Sequence, residues 1–227
     1  VLVADSNLGG IGTTLAAYES LRMRGYDVPL VAMVPRYIEG GTPEAEEEEK
    51  VRNELALAKH VDKDTSLVVL PRLPSSEVPL STYMDQDAVS SGAEDMLRSL
   101  CTYDDNRMEA LSTAEKDARE VIWWPFTQHK MPIGVTVIDS AHGNDYTTFG
   151  GHTDGSEMKV MEGESQKFDA VGSWWTNGVG HGNAEMTKAI SYAAGRYGHV
   201  IFPEVAHQPG IDVSKMLLEG AGKGWAS

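Results

Sequence analysis

Val1-Leu2-Val3-Ala4-Asp5-Ser6-Asn7-Leu8-Gly9-Gly10-Ile11-Gly12-Thr13-Thr14 opens the chain. Val1 to Ala4 is a short unbroken apolar run, the pattern of a strand buried in a parallel sheet. A glycine-bearing turn over Asp5 to Gly10 comes next. Ile11, Leu15, Tyr18 and Leu21 then recur at helical spacing as far as Gly25, a natural helix stop. Val28 to Val34 is a second apolar strand. Strand, glycine turn, helix and strand make a βαβ unit, so a right-handed crossover in a parallel sheet is expected. The fold class is therefore α/β.

The rest of the chain extends this frame. Glu44 to Glu49 opens a charged helix reaching about His60, and its acidic start suits the helix dipole. Ser66 to Leu70 is a third apolar strand, closed by Pro71 and Pro74. From Ser75 to Glu120 the residues are polar, with two weak helical patterns over Met84–Leu100 and Asp104–Val121. Val135 to Asp139 and Phe168 to Trp175 read as strands. Asn183 is an N-cap for a helix with Met186, Ala189, Ile190 and Ala193 on one face. A last helix over Pro209 to Glu219 is expected to turn Val213, Met216 and Leu217 inward, with Gly220 and Gly222 ending it.

Composition narrows the function classes. The 227 residues carry a formal charge of −15, which argues against nucleic acid or an anionic membrane as partner. Cys101 is the one cysteine, so no internal disulfide forms, in keeping with a reducing compartment. No run approaches the ~18 apolar residues of a membrane span. His129, His142, His152, His199 and His207 have no ligand spacing, and no metal site is expected. Val1 in place of Met, and the halt after the last helix, are expected to be cuts in a longer protein.

Two segments bear on chemistry. The glycine turn exposes backbone N–H groups at a helix N-terminus, a place that favours phosphate or carboxylate. The same glycines equally serve close strand–helix packing with no ligand. No Lys-Ser/Thr pair comes after them, so this is not a Walker A loop. Trp123-Trp124-Pro125-Phe126-Thr127-Gln128-His129 is too rich in aromatic surface for a plain linker. Gly172-Ser173-Trp174-Trp175-Thr176-Asn177-Gly178 repeats that theme, and core packing is the alternative for both.

Leu8-Gly9-Gly10-Ile11, Ala17-Tyr18-Glu19-Ser20-Leu21 and Arg24-Gly25-Tyr26-Asp27-Val28 resemble the C-terminal half of dethiobiotin synthetase, in the form fused to an aminotransferase in plants and fungi. In that family the turn holds the substrate carboxylate across a dimer interface, so the resemblance assigns this contact to Gly9, Gly10 and Gly12. The family's ATP-binding P-loop and its catalytic residues are expected before Val1. Val34-Pro35-Arg36 stands where bacterial members often carry an Asn that reads adenine.

The two tryptophan segments, with Val137-Ile138-Asp139-Ser140 and the stretch from Arg196 to Glu204, resemble the N-terminal part of the adenosylmethionine–8-amino-7-oxononanoate aminotransferases. These are pyridoxal-phosphate enzymes of fold type I. By resemblance Phe126 and Trp174 pack on the aliphatic substrate; many members have Tyr at the Phe126 position, whose hydroxyl is missing here. His181 is expected to be structural and Lys223 a surface residue. The groups that pyridoxal phosphate needs, a lysine, an acid for the ring nitrogen and a phosphate cradle, are expected after Ser227, so no catalytic residue is assigned within the chain.

The resemblance divides the chain into a partial synthetase module (1–75), a linker with helices (76–119) and an aminotransferase part (120–227). It implies a homodimer acting on 8-amino-7-oxononanoate, S-adenosylmethionine and 7,8-diaminopelargonate, with pyridoxal phosphate, ATP and Mg2+. A mitochondrial or cytoplasmic setting is expected. The competing readings are an aminotransferase of another substrate class behind an unrelated α/β domain, and a non-catalytic scaffold.

Overall fold

The computed structural model of the chain describes residues 1–5, 9–35, 43–75, 77–128, 134–150, 164–200 and 203–224, without the side chains of 43–50. Two compact units are present, Val1–His181 and Gly182–Ser227.

The first unit begins as expected. Strand β1 (Leu2–Asp5), helix α1 (Gly10–Met23) and strand β2 (Leu30–Val34) form the βαβ unit, and β3 (Ser66–Val69) adds a third parallel strand in the order β1-β2-β3. Central β2 is buried on both faces, as parallel strands are. Val31 and Met33 join Ala4, Tyr18, Val28 and Leu57 in the main core, under α1 and α2 (Pro43–Ala58). Leu30 and Ala32, also fully buried, point to the opposite face by the two-residue period. Tyr18 ties the helix to the β3 entry. Its hydroxyl lies 3.0 Å from Thr65 Oγ1 and accepts from the Asp62 N–H at 3.0 Å, while Thr65 donates to Val28 O at 2.9 Å.

The polar middle of the chain departs from expectation. After a short helix α3 (Leu80–Met84), the two weak patterns over 84–121 are one continuous helix, α4 (Asp87–Val121). Neither Gly nor Pro interrupts residues 101–104, and nothing else there breaks the backbone ladder. Val89, Gly92 and Leu111 are its buried positions. A methyl on Gly92 would come within 2.6 Å of Leu70 Cδ2, so glycine sets how closely α4 approaches the end of β3.

A second sheet, antiparallel and unforeseen, comes after α4: β4 (Val137–His142), β5 (Asp145–Phe149) and β6 (Glu164–Phe168) in the order β4-β5-β6. Its first hairpin turns at Gly143-Asn144, with Gly143 at φ 59°. This dipeptide is a known hairpin signal. Thr148 is completely buried in β5, and its hydroxyl donates to Ser165 O at 3.1 Å. The strand expected over 168–175 ends at Phe168 instead, and Gly172–Trp175 form a helical turn, α5.

The second unit holds α6 (Ala184–Tyr197) and α7 (Gln208–Ala221). Asn183 caps α6 as expected, accepting from the N–H groups of Glu185 and Met186 at 3.1 and 3.0 Å. His207 caps α7 through Nδ1, which accepts from the Gly210 N–H at 3.1 Å, and its ring lies 5.4 Å from that of Tyr197. Gly222, at φ 83°, ends α7, whereas Gly220 lies inside it. Val213, Met216 and Leu217 are exposed rather than turned inward, as are Met186 and Ile190 of α6. A pair of short helices has too little surface to bury both apolar faces. Among the described residues no helix is long and apolar enough to cross a membrane.

Candidate functional site

The glycine turn and the tryptophan turn are separate places in the first unit. At the first, Gly9 is the N-cap of α1 with φ 88°, left-handed backbone that glycine tolerates. Gly10 is required for a different reason: a methyl there would sit 2.0 Å from the carbonyl oxygen of Asp5. Gly12 meets nothing within 4 Å. Thus Gly9 is set by its backbone conformation, Gly10 by packing and Gly12 by neither. The α1 N-terminus carries no side-chain cap and no acidic residue in its first turn. Beside it, at the carboxyl ends of β1 and β2, lies an open cavity of ≈370 Å³ lined by Ala4, Asp5, Thr13, Thr14 and Val34 among others. Ligands of open α/β sheets bind at this end. Ser6, Asn7 and Leu8 of the turn lie outside the described residues.

The tryptophan turn has unusual handedness. Gly172, Ser173, Trp174 and Trp175 all have positive φ, at 60°, 45°, 61° and 68°. Four successive residues in this region amount to one turn of left-handed helix, costing roughly 1–2 kcal/mol for each non-glycine residue. Trp174 and Trp175 meet edge to face at 6.1 Å and are 65% and 79% exposed. Phe126, also at positive φ, is 96% exposed. Among the described residues Phe126 and Trp174 share no ring contact. Both present bare apolar surface to solvent.

Such strain persists only where the surroundings over-determine it. Here Asp169 does so, with its side chain only 4% exposed. Its Oδ2 accepts from the Ser173 N–H at 2.8 Å, the Ser173 hydroxyl at 3.1 Å and His181 Nε2 at 2.8 Å. Its Oδ1 accepts from the Val171 N–H at 3.2 Å. Asn177 lies 2.5 Å from His181 Nδ1; with the amide donating there, Nε2 carries the proton given to Asp169. His181 also exchanges two backbone bonds with Gly143, and the Asp169 N–H donates to Asn144 O, so the β4–β5 hairpin anchors the turn. The sequence placed His181 as structural but passed over Asp169. An Asp ahead of a Gly-Ser turn was the available signal.

The His181 hydrogen bond, then desolvation in the opposite sense, then the Ser173 side chain and the Val171 and Ser173 N–H groups, leave the Asp169 carboxyl below the usual carboxylate range. A depressed folded value contributes stability that is complete above the unfolded value of about 3.9 and is lost as pH falls through the folded one. Asp169→Asn is therefore expected to destabilise the protein at pH 6 and to differ progressively less from wild type below about pH 4. Urea unfolding at both pH values checks this; an unchanged gap would remove the carboxylate's charge as its source.

Arg107 of α4 forms the other polar centre. Its guanidinium grips Asp139 of β4 with two bonds, 3.1 and 2.7 Å, and also pairs with Glu164 of β6. The Asp139 bond foremost, with Glu164, raises its pKa well above the ordinary guanidinium value. One turn earlier, Tyr103 donates to Asp27 at 2.6 Å, and Asp27 pairs with Arg22 at 2.7 Å. Burial first, then this bond, pushes the Tyr103 phenol up to about 12. The same hydroxyl is the main cause of a lowered Asp27 pKa. Helix α4 thus grips both sheets. Sequence reading could not find these pairs, which lie 32 and 76 residues apart.

Among the described residues no group of three or more His, Cys, Asp or Glu side chains is placed to hold a metal. His129 and His152 lie outside the described residues. Lys223 is exposed, and so is Cys101.

No protein-family profile matches the chain. The chain is 37% identical over 234 aligned positions to the mitochondrial bifunctional dethiobiotin synthetase/7,8-diamino-pelargonic acid aminotransferase of Arabidopsis thaliana, covering 100% of this chain and 25% of that protein. It is 37% identical over 232 positions to the protein of the same name from Oryza sativa subsp. japonica, with the same two coverages. A bifunctional dethiobiotin synthetase/adenosylmethionine-8-amino-7-oxononanoate aminotransferase of Emericella nidulans is 34% identical over 235 positions, covering 96% of this chain and 28% of that protein. The chain therefore spans about a quarter of the length of these curated relatives.

Proposed function

We propose that the chain is the joining segment of a bifunctional biotin-pathway enzyme. Its residues 1–75 belong to a dethiobiotin synthetase module, 76–119 are the connection and 120–227 begin an aminotransferase module. The observation that carries this reading is the similarity along the whole chain to fusion enzymes that bear both activities in their names. The parallel βαβ unit with its glycine turn, succeeded in the same chain by two tryptophan turns, agrees with that order.

In this reading Phe126 and Trp174 are flat apolar walls for the carbon chain of 8-amino-7-oxononanoate, which becomes 7,8-diaminopelargonate with S-adenosylmethionine as amino donor. Exposed rings on turns of fixed backbone suit that task, because they exclude water from an aliphatic chain without offering it a polar partner. Phenylalanine at 126 leaves the substrate amine to be held by other groups. Gly9, Gly10 and Gly12 hold the carboxylate of 7,8-diaminopelargonate at the α1 N-terminus, across the interface of a homodimer, before the ureido ring is closed to dethiobiotin. A mitochondrial setting agrees with the names of the plant relatives.

Pyridoxal phosphate would supply amino transfer, and ATP with Mg2+ would activate the carboxylation. The described residues do not fit either group. The glycine turn presents no following lysine to a triphosphate, and the tryptophan turn offers apolar rings rather than a lysine and a ring-nitrogen acid.

The test is steady-state turnover by the full-length protein, offering 8-amino-7-oxononanoate beside ordinary ω-amino acids. Turnover of the first is expected. Exclusive use of the others would replace the reading with an aminotransferase of another substrate class, and no turnover of either would leave a scaffold.

A further inference from the structure

We propose that Asp169 is a positioning residue for the aminotransferase substrate site, holding the Trp174 ring by bracing its left-handed turn, and that His181 in turn orients Asp169. The inference deepens the reading of Trp174 as a substrate wall and rests on it.

The geometry supports it in three ways. First, a tryptophan at positive φ is a genuine outlier, because its Cβ crowds the backbone there; two such residues in succession do not arise from local preference. Second, the turn's own hydrogen bonds are few: Trp175 N–H to Val171 O, the Thr176 and Asn177 N–H groups to Gly172 O, and the Thr176 hydroxyl to Ser173 O. From outside the turn, one carboxylate accepts four bonds, two of them from Ser173, the residue before Trp174. Third, that carboxylate is itself fixed. His181 has its Nε2 on Asp169, its Nδ1 on Asn177 and its backbone on Gly143, so it cannot rotate without breaking bonds on every side. Neither Asp169 nor His181 reaches outward, at 4% and 12% side-chain exposure, while the tryptophans they support do. A shell of buried polar groups behind exposed contact residues is how a site holds its contact geometry.

A residue acting this way changes how well the substrate is held, not the bonds that react. Asp169→Ala in the full-length protein is expected to raise KM for 8-amino-7-oxononanoate about 10–100-fold with kcat within about threefold. Introduced beside Trp174→Ala, it should add less than about twofold, because the ring through which it acts is gone. An equally large additional effect in that background would overturn the proposal. Asp169→Asn, which keeps one acceptor oxygen, is the milder second variant and is expected to fall between.

A measurement independent of turnover separates the positioning role from the substrate role. With 5-fluorotryptophan incorporated and signals assigned by single Trp→Phe replacements, the 19F resonances of Trp174 and Trp175 are expected to shift or broaden in Asp169→Ala, Asp169→Asn and His181→Gln. Those of Trp123 and Trp124 should stay in place. Unmoved Trp174 and Trp175 signals would overturn the positioning role whatever the kinetics. If those signals move but Trp174→Ala leaves KM unchanged, the positioning role stands and the assignment of Trp174 as a substrate wall falls.

Discussion

Replacing Gly10 by alanine is expected to destabilise the protein by at least ~3 kcal/mol, a large part of the ~5–15 kcal/mol that holds a typical domain folded. The added methyl would lie 2.0 Å from Asp5 O and 2.8 Å from Asp5 C. These are backbone atoms at the end of β1, paired with Val34 of β2, so relief requires the strand or the helix to move. Gly12→Ala is the matched control. It meets nothing within 4 Å and stands inside α1, where alanine gains up to ~1 kcal/mol over glycine. Urea unfolding of the two variants should therefore displace the midpoint in opposite directions. Equal destabilisation would show that the glycine turn is not packed as described. The pair also informs function, because a loss of 7,8-diaminopelargonate binding in the stable Gly12→Ala variant would be a ligand effect rather than a folding one.

Removing the Arg107 guanidinium is the second large perturbation. Arg107→Met is expected to cost about 2–3 kcal/mol, less than a fully buried pair because Arg107 and Asp139 retain some solvent contact. The loss has two parts: the bidentate bond itself, and the positive charge that Arg107 places beside three carboxylates, Asp139, Glu164 and Asp104. Arg107→Lys should recover only part, since an ammonium cannot reproduce the planar fork. Combining Arg107→Met with Asp139→Asn should cost less than the sum of the single changes, by about 1 kcal/mol or more. Strictly additive effects would mean that the contact contributes nothing of its own. Because Arg107 anchors α4 to the antiparallel sheet, the same variant should raise amide exchange along β4 and β6 more than along β1 and β2.

The two perturbations fall on opposite sides of what a linear reading recovers. Gly10 stands out by its place between an apolar run and a helical period, and the parallel β1-α1-β2 unit is legible in the same local pattern. Asn183 as a cap, the stop of α1 by Gly25 and the close of α7 are legible for the same reason: each depends on residues within a turn of one another. Residues 168–175 mislead because aromatic side chains favour strands, while Gly172 and the acceptors of Asp169 favour a turn. The two halves of α4 look separate because polar residues weaken the apolar period without breaking the helix.

Local pattern along the chain carries the α/β class, the parallel unit with its glycine turn, the Asn183 cap of α6 and the aromatic segments that bear the resemblance, but not the His207 cap of α7. The folded chain alone reveals that α4 is one helix gripping two sheets, that the second sheet is antiparallel, and that Trp174 and Trp175 ride a left-handed turn braced by Asp169 and His181. The reason is range. Propensity, capping and periodicity act over a few residues, whereas the bonds that set those features join side chains 12, 32 and 76 positions apart, and such pairs exist only once the chain has folded.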